Sequence, residues 1–270
     1  MKSTPAARST LAWMLFAVML CAGPATAEEK EKSPASTQGA AAKKAPAQAA
    51  PVKSPANESH VIYTPPPRGG STGTRMGGGT RGASHAPRIA VLAPDHIGVT
   101  TRAQPSLVWY LSEQTRAPVE LTVIADNAVE PLAVKRLPSP QRAGIHVEDL
   151  AKHGIQLAEG TTYDWYVTLV LDPKARDSDV VAGGAIERRA PTPELTAALK
   201  AGQPSYRVLA ENGIWYDAIA DLSAAIAAVP GDTPAGRALH AERASLLEQV
   251  GVGAAALYDR EAGDDPDARP

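Results

Sequence analysis

The sequence predicts a mainly β protein with additional α-helix, in which a two-layer β-sandwich follows a disordered N-terminal region and precedes a C-terminal helical hairpin. Three observations lead to this fold class. Residues 88–190 contain about seven short apolar stretches, separated by Pro, Gly and Asp turns without a helical pattern between them. Residues 194–258 carry apolar side chains at helical spacing. Residues 28–62 are rich in Ala, Pro and Lys and contain no aromatic residue, which is typical of a disordered linker.

Residues 1–27 have the pattern of an export signal. Lys2 and Arg8 form a basic start, residues 11–22 form an apolar run, and Ala25 and Ala27 form a small-x-small cleavage site. The apolar run is shorter than the roughly 20 residues that a membrane-spanning helix needs. We therefore expect a cleaved signal peptide, a periplasmic or secreted protein, and no membrane span after cleavage. An uncleaved N-terminal anchor is the alternative.

Cleavage of this signal would change the composition of the chain. It would remove Cys21, the one cysteine, so that disulfides, thiolate catalysis and cysteine metal sites are excluded from the mature protein. It would also remove Lys2 and Arg8 from the 27 basic residues, which leaves 25 against 29 acidic residues. This mildly acidic balance argues against a nucleic-acid partner. The histidines show no metal-ligand spacing, and we expect no cofactor.

Residues 63–87 form a segment rich in Pro and Gly. Arg75 and Arg81 flank a glycine run there, and backbone N–H groups in such a run can bind an anion. The run lacks the Lys-Ser/Thr ending, the preceding strand and the following helix of a phosphate loop. We expect the segment to lie in extended form along the folded domain, with Arg75 and Arg81 as part of a possible partner surface.

The strands of the sandwich are predicted from alternating apolar residues. Trp109 and Trp165 lie on the apolar side of their strands, so we expect both in the core, with Tyr110 and Tyr166 on the outer face. These tyrosines are the candidate ligand or partner surface, because two outward aromatic rings can stack on a sugar or a peptide. The interpretation we favour is that the C-terminal helices or the N-terminal segment cover them. The predicted strands span residues 89–92, 106–111, 119–124, 132–135, 144–147, 163–171 and 180–187.

One motif favours a particular sandwich. Leu157, Gly160 and Tyr163 precede an alternating strand, as at the entry to strand F of fibronectin type III-like domains, where the tyrosine hydroxyl bonds back to the loop. The motif predicts a fibronectin- or immunoglobulin-like topology.

The loop after this strand contains a cluster of carboxylates. Oxygen ligands of this loop, such as those of Asp172 and Asp179, could hold Ca²⁺, but the spacing lacks the turn glycine and the terminal glutamate of a calcium loop. We expect instead an ion pair of Arg176 with Asp172 or Asp179 that fixes the loop.

The C-terminal third is predicted to be helical. Gly213, Ala218, Leu222, Ala225 and Pro230 fall at the spacings of the second half of a tetratricopeptide repeat. A further helix is predicted from residue 234 to residue 250, and residues 259–270 are expected to form a disordered acidic tail. One such repeat cannot stand alone, so the helices must pack on the sandwich or on another protein.

Several of these segments together resemble a known family. The runs YTPPPRG, GGGTRG, LVWY, TYDWYVTLVLDPKARD and AENGIWYDAIADL are similar to those of exported bacterial proteins grouped as domain of unknown function family 928. The resemblance covers roughly residues 63–251. It implies an exported protein with no assigned activity and supplies no catalytic residue.

Three functions remain open on the sequence. The first is a non-catalytic envelope protein that binds another envelope protein. The second is a module that binds carbohydrate or peptidoglycan of the cell wall through Tyr110 and Tyr166. The third is an enzyme of unknown class, which is disfavoured because the sequence shows no G-x-S-x-G elbow and no pair of carboxylates placed for glycosidase chemistry.

Overall fold

Within the described residues, eight strands form two sheets that pack as a β-sandwich. A computed structural model describes residues 60–67 and 86–264, so the predicted signal peptide, most of the predicted linker, Arg75 and Arg81 lie outside the described residues. The three-stranded sheet has the order β1-β3-β6, and the five-stranded sheet has the order β2-β8-β7-β4-β5. The strands are β1 (Ile89–Val91), β2 (Gly98–Thr100), β3 (Ser106–Leu111), β4 (Val119–Ala125), β5 (Ala133–Arg136), β6 (Gly144–Asp149), β7 (Thr162–Leu169) and β8 (Val180–Arg188).

The inner faces of the sheets form the core that the alternation predicts. Trp109 in β3 and Trp165 in β7 are fully buried, as expected. The hydroxyl of Tyr163, at the start of β7, accepts a hydrogen bond from the backbone N–H of Ala158 at 3.0 Å, as a tyrosine corner does. The predicted β-sandwich is therefore confirmed. The sequence missed β2, which has three residues and pairs in parallel with β8.

In the part of the chain that the structure describes, five helices follow the sandwich, where the sequence predicted a hairpin. Residues 253–264 are helical, so the chain is still ordered where a disordered tail was expected to begin at residue 259. The reason is that Asp259 is fully buried and paired with Arg243. The helices are α1 (Pro193–Leu199), α2 (Ser205–Glu211), α3 (Trp215–Ala228), α4 (Pro234–Gln249) and α5 (Gly253–Asp264). Among the described residues, no helix combines the length and the apolar character needed to cross a membrane.

The first turn of α3 is inserted into the sandwich where the chain passes from β1 to β2. The indole N–H of Trp215 donates to the carbonyl of Leu92 at 2.8 Å. The hydroxyl of Tyr216 donates to the carbonyl of Ala185 and accepts from the indole N–H of Trp165, both at 2.9 Å. A Cβ at Gly98 would lie 2.6 Å from the Tyr216 ring, so only glycine allows this close approach. The helices and the sandwich thus share one core.

A short N-terminal strap, residues 60–64, crosses the helices. Val61 and Tyr63 are buried, and the ring of Tyr63 packs edge-on against Trp215 at 4.9 Å between centroids. The backbone N–H of Thr64 donates to the carbonyl of Ala210 at 3.1 Å. The side chain of Gln249 accepts from the N–H of Tyr63 at 2.8 Å and donates to the carbonyl of Val61 at 2.9 Å. The strap therefore joins α2 and α4.

Candidate binding cleft

A cleft of about 790 Å³ lies between β6 and the C-terminal helices. One wall is formed by residues 142–147, which include most of β6. We call this feature the β6 cleft. Its opposite wall consists of residues from the end of α3 and the loop after it, from α4 and from α5: residues 226–232 with Ser223, His240, Arg243, Tyr258 and Ala262.

β6 presents an open strand edge to this cleft. Among the described strands it pairs with β3 alone. On the β1 side of β3, the carbonyl of Val108 accepts a hydrogen bond from the N–H of Leu92 at 2.9 Å. Consecutive residues of a strand direct their backbone groups to opposite sides, so the backbone groups of Trp109 point to β6. Trp109 is opposite His146, and the adjacent Ile145 and Val147 therefore direct their N–H and C=O groups away from β3. The described residues supply no partner for these groups.

An ionic cluster closes the inner end of the cleft and joins three helices. The guanidinium of Arg243 donates to both carboxylate oxygens of Asp259, at 2.6 and 2.7 Å, and to the hydroxyl of Ser223 at 3.0 Å. His240 Nδ1 lies 2.8 Å from Asp259. Burial alone raises the pKa of Asp259, but the hydrogen bonds and charges of Arg243 and His240 outweigh burial and hold this pKa below 3.8. The charge of Arg243 is therefore neutralised inside the protein.

The hydroxyl of Ser223 is also engaged within the helices, because it donates to the carbonyl of Ile219 at 2.7 Å. No group of three or more His, Cys, Asp or Glu side chains among residues 60–67 and 86–264 is arranged to hold a metal ion.

The wall formed by β6 carries both a stacked histidine and an exposed cation. The ring of His146 stacks on Trp109 with 4.3 Å between centroids, and its Nε2 lies 2.8 Å from the carbonyl of Arg142. Burial lowers the pKa of His146 below its ordinary 6.5, which favours the neutral ring. The side chain of Arg142 is exposed and makes no ion pair with a described residue. The cleft thus offers apolar side chains, together with strand-edge backbone groups and one guanidinium that have no partner among the described residues.

The structure separates the two tyrosines that the sequence grouped as a surface. Tyr110 is 7% exposed and packs against Tyr258 of α5, with ring centroids 5.5 Å apart. Tyr166 lies half-buried on the outer face of the five-stranded sheet, where its ring covers Gly183, its cross-strand partner. A Cβ at Gly183 would lie 2.5 Å from that ring. Because Tyr110 and Tyr166 are in different sheets, they do not form one platform.

The loop between β7 and β8 is held by Arg176. This guanidinium pairs with Asp179 at 2.5 Å and also with Glu120 of β4 at 2.8 Å, which the sequence did not suggest. Asp172 instead accepts from the backbone N–H of Lys174 at 2.8 Å.

The residues of the cleft carried little signal in the sequence. The strand over residues 144–147 was predicted, but nothing in its pattern shows which of its edges remains open. Arg243 and Asp259 are 16 positions apart on two helices, and the second was assigned to the tail. The i,i+4 spacing that marks a pair on one helix was therefore absent.

The fold and the cleft together define a mixed α and β protein, in which a two-sheet sandwich carries a helical layer and a groove between the two. The chain belongs to the family described as Domain of Unknown Function (DUF928), whose model matches residues 76–258. No match was found among curated proteins or among solved structures.

Proposed function

We propose that this protein is an exported, non-catalytic envelope protein that binds another envelope protein through the β6 cleft. The observation that carries the proposal is the open edge of β6, because unpaired strand groups in a groove are a site at which protein chains associate. Export rests on the signal pattern of residues 1–27.

The lining of the cleft supports a protein partner. It is mostly apolar, with Ile145, Val147, Ile226 and Val229 around the open strand edge. The side chain of Val147 is 45% exposed, although it lies in a strand. Exposed apolar side chains beside unpaired backbone groups favour association with a protein chain over binding of a polar glycan.

A matched pair of variants in α3 tests this function. Ala227 and Ala224 are both exposed, but only Ala227 lines the cleft. Ala227→Trp should fill the groove and reduce partner recovery from an envelope extract about tenfold, a loss typical of a blocked interface centre. Ala224→Trp should leave recovery unchanged. Equal recovery by both variants would contradict binding through the cleft.

Two measurements test export and the glycan-binding alternative. Mass spectrometry of the exported protein should show a chain that begins at residue 28. Sedimentation with purified peptidoglycan tests the glycan-binding alternative, which requires that Tyr166→Ala abolish the binding.

A further inference from the structure

We infer that the β6 cleft binds its partner by strand addition: an extended, acidic peptide segment pairs with the open edge of β6. This inference rests on the proposed function and specifies its mode of recognition. It is carried by the direction of the backbone groups, by the apolar wall opposite them and by the position of one unpaired cation.

The backbone geometry selects an extended peptide. Ile145 and Val147 are consecutive positions on the free edge, so their N–H and C=O groups are spaced to pair with a second strand. In a four-stranded immunoglobulin sheet, strand D pairs with strand E on this side. β6 takes the place of strand E, and no described strand takes the place of strand D. An added segment would complete that sheet.

The opposite wall fits the side chains of such a segment. Successive side chains of a strand point to opposite faces, so every second residue of the segment would face the helices. Ile226, Val229 and Pro230 line this wall and can contact apolar side chains of the segment. A segment that pairs along all six residues of β6 would be about 20 Å long, because a strand rises about 3.3 Å per residue.

The charges at the cleft favour an acidic segment. Arg142 precedes β6, is exposed and has no ion-pair partner among the described residues. Arg243 is neutralised by Asp259, and Asp232 on the opposite wall is already engaged in an interaction of its own. The guanidinium of Arg142 is therefore free to bind a carboxylate of the segment near the start of β6.

The probe is a displayed library of random nine-residue peptides, selected on the full chain, and the affinity of selected peptides is measured by fluorescence anisotropy. Selected sequences should have an apolar residue at every second position and carry Asp or Glu at one end. Val147→Pro should weaken binding about tenfold, because it deletes one N–H of the free edge. Val147→Ala keeps that N–H and should weaken binding less. Proline is tolerated at a strand edge, and thermal unfolding checks that the variant is folded.

Two further measurements keep the inference independent of the folding of the proline variant. Hydrogen exchange should show that the amides of Ile145 and Val147 become protected when a selected peptide binds. Arg142→Glu should shift the selected peptides from acidic to basic. Selected peptides that bind without protecting these amides would overturn strand addition but leave binding through the cleft intact. If no peptide is selected, or if ultracentrifugation shows that a second copy of the chain occupies the edge, the inference fails.

Discussion

Asp259 and Arg243 show at the scale of single residues how the helices are held together. Both side chains are buried, and the carboxylate accepts two hydrogen bonds from the guanidinium. Asp259→Asn would leave a buried cation without its counterion, so we expect a loss of about 3–5 kcal/mol in the free energy of unfolding. Urea denaturation at neutral pH measures this loss. Glu261→Gln, at an exposed site on the same helix, should change stability little.

The lowered pKa of Asp259 gives this prediction a pH dependence. Because the pKa is lower in the folded than in the unfolded chain, the ionised carboxylate stabilises the protein at all pH values above 3.8. This contribution is lost as the pH falls from 3.8 through the lowered pKa. The stability difference between the wild type and Asp259→Asn should therefore be smaller at a pH below the lowered pKa than at neutral pH. A difference that grows in acid would contradict this assignment.

At the scale of elements, the docking of α3 depends on a tyrosine that bridges two strands. The hydroxyl of Tyr216 is bonded to the indole of Trp165 and to the carbonyl of Ala185, and all of these groups are buried. Tyr216→Phe would leave the buried indole N–H of Trp165 unpaired, at a cost of about 1–3 kcal/mol, and would remove one hydrogen bond to the carbonyl of Ala185. Thermal and urea unfolding should both show the loss. Tyr258→Phe is the control, since none of the hydrogen bonds identified in the described part of the chain involves its hydroxyl.

The elements also show which parts of the fold can be predicted from sequence. Burial of Trp109 and Trp165 follows from strict alternation along their strands, a local property. The three residues of β2 have no such pattern, because this strand is stabilised by pairing with β8 far along the chain. The cleft could not be predicted from the sequence, because it depends on where the described helices leave one edge of β6 uncovered. No local pattern in the sequence indicates that arrangement.

At the scale of the whole molecule, the N-terminal strap is part of the folded structure. A chain that begins at residue 60 retains Val61 and Tyr63, whereas a chain that begins at residue 65 loses both buried side chains. We expect the shorter chain to be less stable by about 3 kcal/mol or more, from lost apolar burial alone. Denaturant midpoints of the two chains measure this difference. Equal midpoints would show that the strap is dispensable.

The strap also has a consequence for when the protein can fold. Gln249 binds the backbone of Val61 across 188 positions, and Trp215 binds Leu92 across 123 positions. During synthesis, the N-terminal partner of each pair leaves the ribosome long before the C-terminal one. The first strands of the sandwich therefore lack their contacts with the helices, and expose apolar surface, until almost the entire chain has emerged. Contacts this distant along the chain also slow folding. We therefore expect the complete native state to form only when residues up to Gln249 are available to the N-terminal strap.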